Sequence, residues 1–184
     1  QFIFREFYED FFKIAESLLP KKFNLIDVGC SRGFFSMYLL SMQNFKPRGV
    51  CIDPLKKAIA DFSEILNLNK LKNVILINGV ISNKISKKIN LFRVNENQGY
   101  YSIVKDLSYA DKEITKKIST ASFTIDQIMF KKKKLKSLEF LKIDTEGAEL
   151  EVLQGSKQSI KKFKPIIFCE VTRKKKEVYT ILNS

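Results

Sequence analysis

The chain has 184 residues, carries 33 Lys and Arg against 20 Asp and Glu, and contains no His. With 45% hydrophobic and 29% charged residues it has the composition of one globular domain, which excludes disordered, collagenous and coiled-coil classes. The missing His rules out a Ser-His-Asp triad, a Cys-His pair and any His-ligated metal, so proton transfer falls to Asp, Glu, Lys, Tyr or water.

No stretch approaches the roughly 18 consecutive apolar residues of a membrane span, and the first residues lack the order of a signal peptide. The expectation is a soluble, cytoplasmic protein, although the sequence opens on Gln1 rather than Met. Cys30, Cys51 and Cys169 stand far apart beside apolar runs and read as buried thiols. The net charge of +13 invites a nucleic acid or an anionic membrane as partner. Of the 33 cations, however, 28 are Lys and 5 Arg, whereas base and phosphate readout leans on the forked guanidinium. The runs Lys131 to Lys134 and Arg173 to Lys176 read as solvated turns and helix ends, so nucleic acid is not the favoured partner.

In chain order, Phe4, Phe7, Tyr8, Phe11, Ala15, Leu18 and Leu19 recur at helical spacing and predict an amphipathic helix over residues 1–20, stopped at Pro20. The apolar run from Phe23 to Val28 predicts a strand, Gly29 to Gly33 a turn, and Phe34, Met37, Tyr38 and Leu40 a helix. A second such unit runs from Gly49 to Ile52, closes at Asp53 and Pro54, and continues in a helix with Ala58, Phe62, Ile65 and Leu66 on one face. Val74 to Asn78 is the third strand. This alternation predicts a mainly parallel sheet with helices on both faces.

Residues 82–123 break the pattern and read as an inserted hairpin or flap, with short strands at Asn90 to Val94, Ser102 to Val104 and Ala121 to Phe123 around a turn at Asn95 to Gly99. Thr124 should cap a short helix reaching Met129, and Leu138 to Ile143 should be a buried strand ending at Asp144. A helix is expected from Glu146 or Gly147 to Gly155, with Glu149 and Glu151 on its exposed side, then a strand from Ile166 to Phe168 with Glu170 near its end. A last helix carries Val178, Ile181 and Leu182. Residues 1–184 thus form one domain, in which residues 23–81 and 124–184 flank the insertion.

Ligands of open parallel sheets lie beyond the carboxyl ends of the strands, and Asp27, Asp53, Asp144 and Glu170 all fall there. The first turn does not supply the three glycines of a dinucleotide site, because their positions read Gly29, Ser31 and Phe34, and no phosphate loop occurs. Gly29 and Gly33 instead suit close approach of backbone to a ligand without a pyrophosphate, and Asp27 adds negative charge for a cationic, nucleoside-containing one. Asp53 stands where an acid accepts both hydroxyls of a ribose.

The segments Leu25-Ile26-Asp27-Val28-Gly29-Cys30-Ser31-Arg32-Gly33-Phe34-Phe35-Ser36 and Lys142-Ile143-Asp144-Thr145-Glu146-Gly147-Ala148-Glu149, the latter followed by Val152-Leu153-Gln154-Gly155, resemble the FkbM family of S-adenosylmethionine-dependent methyltransferases. The resemblance runs from about Asn24 to Val171 and implies a three-layer, Rossmann-like α/β fold of the class I methyltransferases. It implies S-adenosyl-L-methionine as cofactor and O-methylation of a hydroxyl on a sugar, a glycan or a natural product. The cofactor residues it implies are Asp27, Gly29, Cys30, Ser31, Gly33 and Phe34, then Asp53 and Pro54, then Asn78, Gly79 and Val80 along the adenine, and Asp144. Asp144 first and Glu146 second are the candidate bases. A metal site from Asp144, Glu146 and Glu170 lacks a third ligand fixed by spacing and is not expected. Such a fold normally has two further strands, so the chain reads as a fragment. Rival readings are an RNA methyltransferase, with lysines beside the carboxyl ends of the strands, and a cofactor-binding module without turnover.

Overall fold

In chain order the strands are β1 (Asn24–Val28), β2 (Arg48–Asp53), β3 (Val74–Asn78), β4 (Val80–Ile81), β5 (Ser86–Arg93), β6 (Lys116–Phe123), β7 (Phe140–Ile143) and β8 (Ile166–Cys169). The helices are α1, described over 12–18, α2 (Phe34–Leu40), α3 (Lys56–Leu68), α4 (Glu149–Gln154), α5 (Lys157–Phe163) and α6 (Lys175–Leu182). The computed structural model describes residues 12–42, 45–93, 116–132 and 134–183. The expected strand at Ser102 to Val104, the turn at Asn95 to Gly99 and the first eleven residues lie outside the described residues.

Five strands form one parallel sheet in the order β3-β2-β1-β7-β8. Short apolar strands joined by helices leave no other economical solution, since right-handed crossovers carry each helix over the sheet before the next parallel strand begins. One face is covered by α1, α2 and α3 through Phe12, Ala15, Phe35, Leu39, Phe62 and Leu66. On the other face Ile128, Met129, Leu150, Leu153 and Val178 pack over Ile26, Val28, Val50 and Ile52. Phe23, Phe62 and Phe140 are among the largest fully buried side chains, each contributing on the order of 1.5–3 kcal/mol by leaving water. Among the described residues no helix is long and apolar enough to cross a membrane.

The inserted region is a second sheet of order β4-β6-β5, in which β5 and β6 are the antiparallel pair and β4 joins β6 in parallel. Its strands are longer than the short apolar runs suggested, because Ser119, Ser122 and Asn90 pair through backbone ladders that hydropathy does not signal. Thr124 does cap the following helix, its Oγ1 accepting the Gln127 N–H at 2.9 Å, but that helix widens into a π-helical turn over Gln127–Lys131. Two further differences concern the carboxyl-terminal half. α4 starts at Glu149 because Glu146 and Gly147 have φ of 52° and 101°, outside the helical region. α5 was not expected; its start is secured by Asp126, which accepts the N–H groups of Gln158 and Ser159 and the hydroxyl of Ser159.

Candidate active site

A cavity of about 490 Å³ opens at the carboxyl ends of β1, β2 and β7, a volume suited to a small molecule. Gly29, Ser31, Asp53, Pro54, Gly79, Val80, Asp144 and Glu146 line it, all positions expected from sequence. Ile81 and Leu91 add an apolar wall, so the second sheet closes one side.

Asp53 is the most completely positioned of these groups. Its Oδ2 accepts the Ser31 N–H at 2.9 Å and its Oδ1 the Leu55 N–H at 2.8 Å, which fixes the carboxylate between the turn after β1 and the turn after β2. Each oxygen retains a further acceptor site. Burial raises its pKa above the usual carboxylate range, an effect that these two hydrogen bonds oppose.

Five residues expected at the cofactor do not line the cavity. Asp27 is fully buried beneath it: Ser36 Oγ donates to its Oδ2 at 2.6 Å, and Lys142 Nζ stands 3.2 Å from Oδ1 in an ion pair without hydrogen-bond alignment. Asp27 and Lys142 are register partners on β1 and β7, a proximity that only the folded sheet reveals. Cys30 is buried, and burial followed by its neighbour Cys51 pushes its thiol pKa up. Gly33 makes room for the Phe62 ring, which a Cβ would approach to 2.2 Å. Phe34 points outward at 57% exposure. Asn78 spends its amide on the carbonyls of Asp53 and Pro54, at 3.0 and 2.9 Å. Gly29, with φ of 78°, is at the cavity, but the space of its missing Cβ belongs to the Asp144 carbonyl oxygen, 1.7 Å from where that Cβ would sit. The glycine there serves the contact between strand ends.

Lys142 is the functional group that sequence reasoning passed over. Its ammonium is nearly inaccessible and reaches Asp27, Asp144 Oδ2 at 3.2 Å and the Gly29 carbonyl at 3.3 Å. Burial opposes its charge, yet the two carboxylates outweigh burial and hold its pKa above the ordinary lysine value. The available signal was a lysine inside the apolar run Phe140-Leu141-Lys142-Ile143.

The loop after β7 is tied down by Glu149, which is buried rather than on the exposed side of its helix. Its Oε1 accepts the Gly147 N–H at 2.8 Å and the Thr145 hydroxyl at 3.0 Å, and its Oε2 the Thr172 hydroxyl at 3.1 Å. Glu146 is thereby presented, half-buried, at the cavity. Burial first, then the charges of Asp144, Glu170 and Glu149, push its carboxyl up to about 7. Among the described residues no three Cys, Asp or Glu side chains converge closely enough to hold a metal ion.

The sequence profile described as the methyltransferase FkbM domain matches residues 27–183. The chain belongs to the FkbM methyltransferase family. The crystal structure of methyltransferase FkbM from Methylobacillus flagellatus KT is similar, with a TM-score of 0.60 at 18% identity over 91% of this chain and 38% of that one. This FkbM domain chain thus spans 38% of the length of that protein. A Clostridium thermocellum protein assigned as an rRNA-methylase is similar at a TM-score of 0.52 and 14% identity, over 96% of this chain and 78% of that one. Both likenesses bear on the fold alone. No sequence among the curated proteins matches the chain.

Proposed function

We propose that this FkbM domain binds S-adenosyl-L-methionine in the cavity and transfers its methyl group to a hydroxyl of a sugar, a glycan or a natural product. The observation that carries the reading is Asp53: a carboxylate at the end of β2, fixed by two backbone donors and facing a nucleoside-sized cavity, suits a vicinal diol. The donor set fits the rest of the cofactor. Pro54, Val80, Ile81 and Leu91 offer an apolar wall to a flat base, and Asp144 and Glu146 offer negative charge to a cation.

When bound, S-adenosyl-L-methionine supplies an activated methyl group on a positively charged sulfur. The chain's part is to bind, align and manage one proton. Asp144 has Oδ2 committed to Lys142, which suits it to holding charge in place. Glu146 is the better base of the two, reversing the order expected from sequence, because a carboxyl near 7 exists in both forms at neutral pH and can take a proton from an acceptor hydroxyl. Arg32 and Lys57, the cations lining the cavity, both pair with Asp61, at 3.2 and 2.9 Å, which does not favour the RNA reading.

The test is calorimetric titration with S-adenosyl-L-methionine and S-adenosyl-homocysteine, repeated on Asp53→Ala. Micromolar binding that the variant loses supports the reading. A folded chain that binds neither compound refutes it.

A further inference from the structure

The two ends of the sheet differ in their acids: the end opposite the cavity carries cations with almost no carboxylate among them. Lys70 and Lys72 precede β3, Lys46 and Arg48 lead into β2, and Lys21 and Lys22 precede β1. Lys134 and Lys136 precede β7, and Lys161, Lys162 and Lys164 precede β8. In a parallel sheet every strand start lies on one rim, and backbone bonds lace these starts side by side. Gly49 N–H donates to the Asn73 carbonyl, Lys46 N–H to that of Lys21, Glu139 N–H to that of Asn24, and Ile166 N–H to that of Glu139.

The result is a row about 19 Å long, four strand spacings, holding eleven of the chain's 33 cations. The only acid in the same loops is Glu139, whose Oε2 is taken by the Asn24 N–H. All eleven cations are exposed, and none has a carboxylate within ion-pair distance among the described residues. A lysine-rich composition alone accounts for the number of cations but not for their lack of partners, because at the opposite rim Arg32, Lys57, Lys142 and Lys174 pair with Asp61, Asp27, Asp144 and Glu151.

We propose that this basic rim is a docking surface for an anionic lipid membrane. Ten of the eleven cations are Lys, a point charge suited to a field of headgroups rather than to forked recognition of a base. The exposed apolar groups at the rim are aliphatic, whereas its aromatics Phe45 and Phe163 are half-buried against the two cores and offer no open platform. Leu18 ends the described part of α1 and Leu68 ends α3, just before the loops into β1 and β3, at 58% and 75% exposure. Lysines beside exposed leucines match a membrane interface, where the leucines leave water among the headgroups. Single-stranded nucleic acid asks for aromatic platforms, and among the described residues the exposed aromatics Phe34, Tyr38 and Tyr179 lie on α2 and α6 instead. Docked by this rim, the protein holds its cavity a strand length away, open to solvent on the far side. The proposal is independent of what the cavity binds.

The test is flotation of the chain with vesicles of phosphatidylcholine alone or mixed with phosphatidylglycerol, across a salt series, beside titration of fluorescent single-stranded and duplex RNA. Binding is expected only to the anionic vesicles and falls with salt. Joint reversal of Lys22, Lys46, Lys72 and Lys136 to Glu weakens it by at least about 600-fold, from about fivefold for each of the four positive charges removed. Reversal of the off-rim Lys84, Lys87, Lys175 and Lys176 to Glu is the control, with an expected loss of under about tenfold. Leu18→Ser with Leu68→Ser weakens binding severalfold at an unchanged salt dependence. The same rim positions changed to Gln, with circular dichroism and melting as checks of folding, guard against a misfolded reversal variant. Tighter binding to RNA than to anionic vesicles, no binding to those vesicles, or equal loss in the rim and control variants overturns the proposal.

Discussion

Replacing Lys142 with Met keeps the length of the side chain and deletes its ammonium. Asp27, fully buried, then retains only the Ser36 hydroxyl, and Asp144 and the Gly29 carbonyl lose their shared partner. Breaking a buried ion pair by removing one member costs about 3–5 kcal/mol, since the other charge is left uncompensated. In a chain of this length that corresponds to a fall in Tm of roughly 10 °C. Because the Lys142 pKa is raised on folding, its contribution is complete below the ordinary lysine value of about 10.4 and is lost only as pH rises through the folded value. This contribution therefore does not vary across neutral pH. Urea denaturation of Lys142→Met, Asp27→Asn and the double variant measures both the cost and the coupling. A single-variant loss under about 1 kcal/mol, or a coupling energy near zero, refutes the assignment of this pair as the electrostatic floor of the cavity.

Glu146→Gln should stabilise the chain at alkaline pH: a carboxyl held up to about 7 costs stability as pH rises from its unfolded value, by about 1 kcal/mol after solvent screening of a half-buried group, and denaturation at pH 4 and 8 separates the two regimes. The same substitution should remove a rise in methyl transfer with pH through about 7, read from the rate profile on an identified acceptor. Gly29→Ala places a Cβ against the Asp144 carbonyl at a left-handed φ, and a loss of at least about 2 kcal/mol with loss of cofactor binding is expected by denaturation and calorimetry. Glu149→Ala leaves the Gly147 N–H and two threonine hydroxyls without their acceptor, costing about 2–4 kcal/mol, whereas Glu149→Gln keeps most of the geometry and should cost less than half as much.

The parallel sheet was legible because its strands are apolar runs, several closed by Asp or Gly as at Asp53 and Asp144, and because all but the third are followed by a helical period. What sequence could not supply was the direction of a side chain at a strand end. Asp27 and Asp53 occupy similar places in similar motifs, yet one turns inward to Lys142 and the other lines the cavity, and the difference is set by strand register and by a lysine from a strand much further along the chain. α5 was missed because Ile160 and Phe163 are its main apolar contacts amid Lys157, Lys161 and Lys162, while its buried Ser159 is satisfied by the distant Asp126. Glu149 looked like a surface residue because its three donors come from turns whose positive φ values no pattern announces.

The second sheet joins the parallel sheet's scaffold through Gly79 after β3 and Thr124 after β6, and Arg93 and Lys116, the residues on either side of the stretch 94–115, are direct partners in the ladder. Whatever lies between them enters and leaves at one point, so its length is decoupled from the scaffold: doubling such a connection costs only about 0.6 kcal/mol in closure entropy. Leu91, just before that point, lines the cavity. A domain built this way can change the length of the stretch between Arg93 and Lys116 while the acids and glycines of the parallel sheet keep their places.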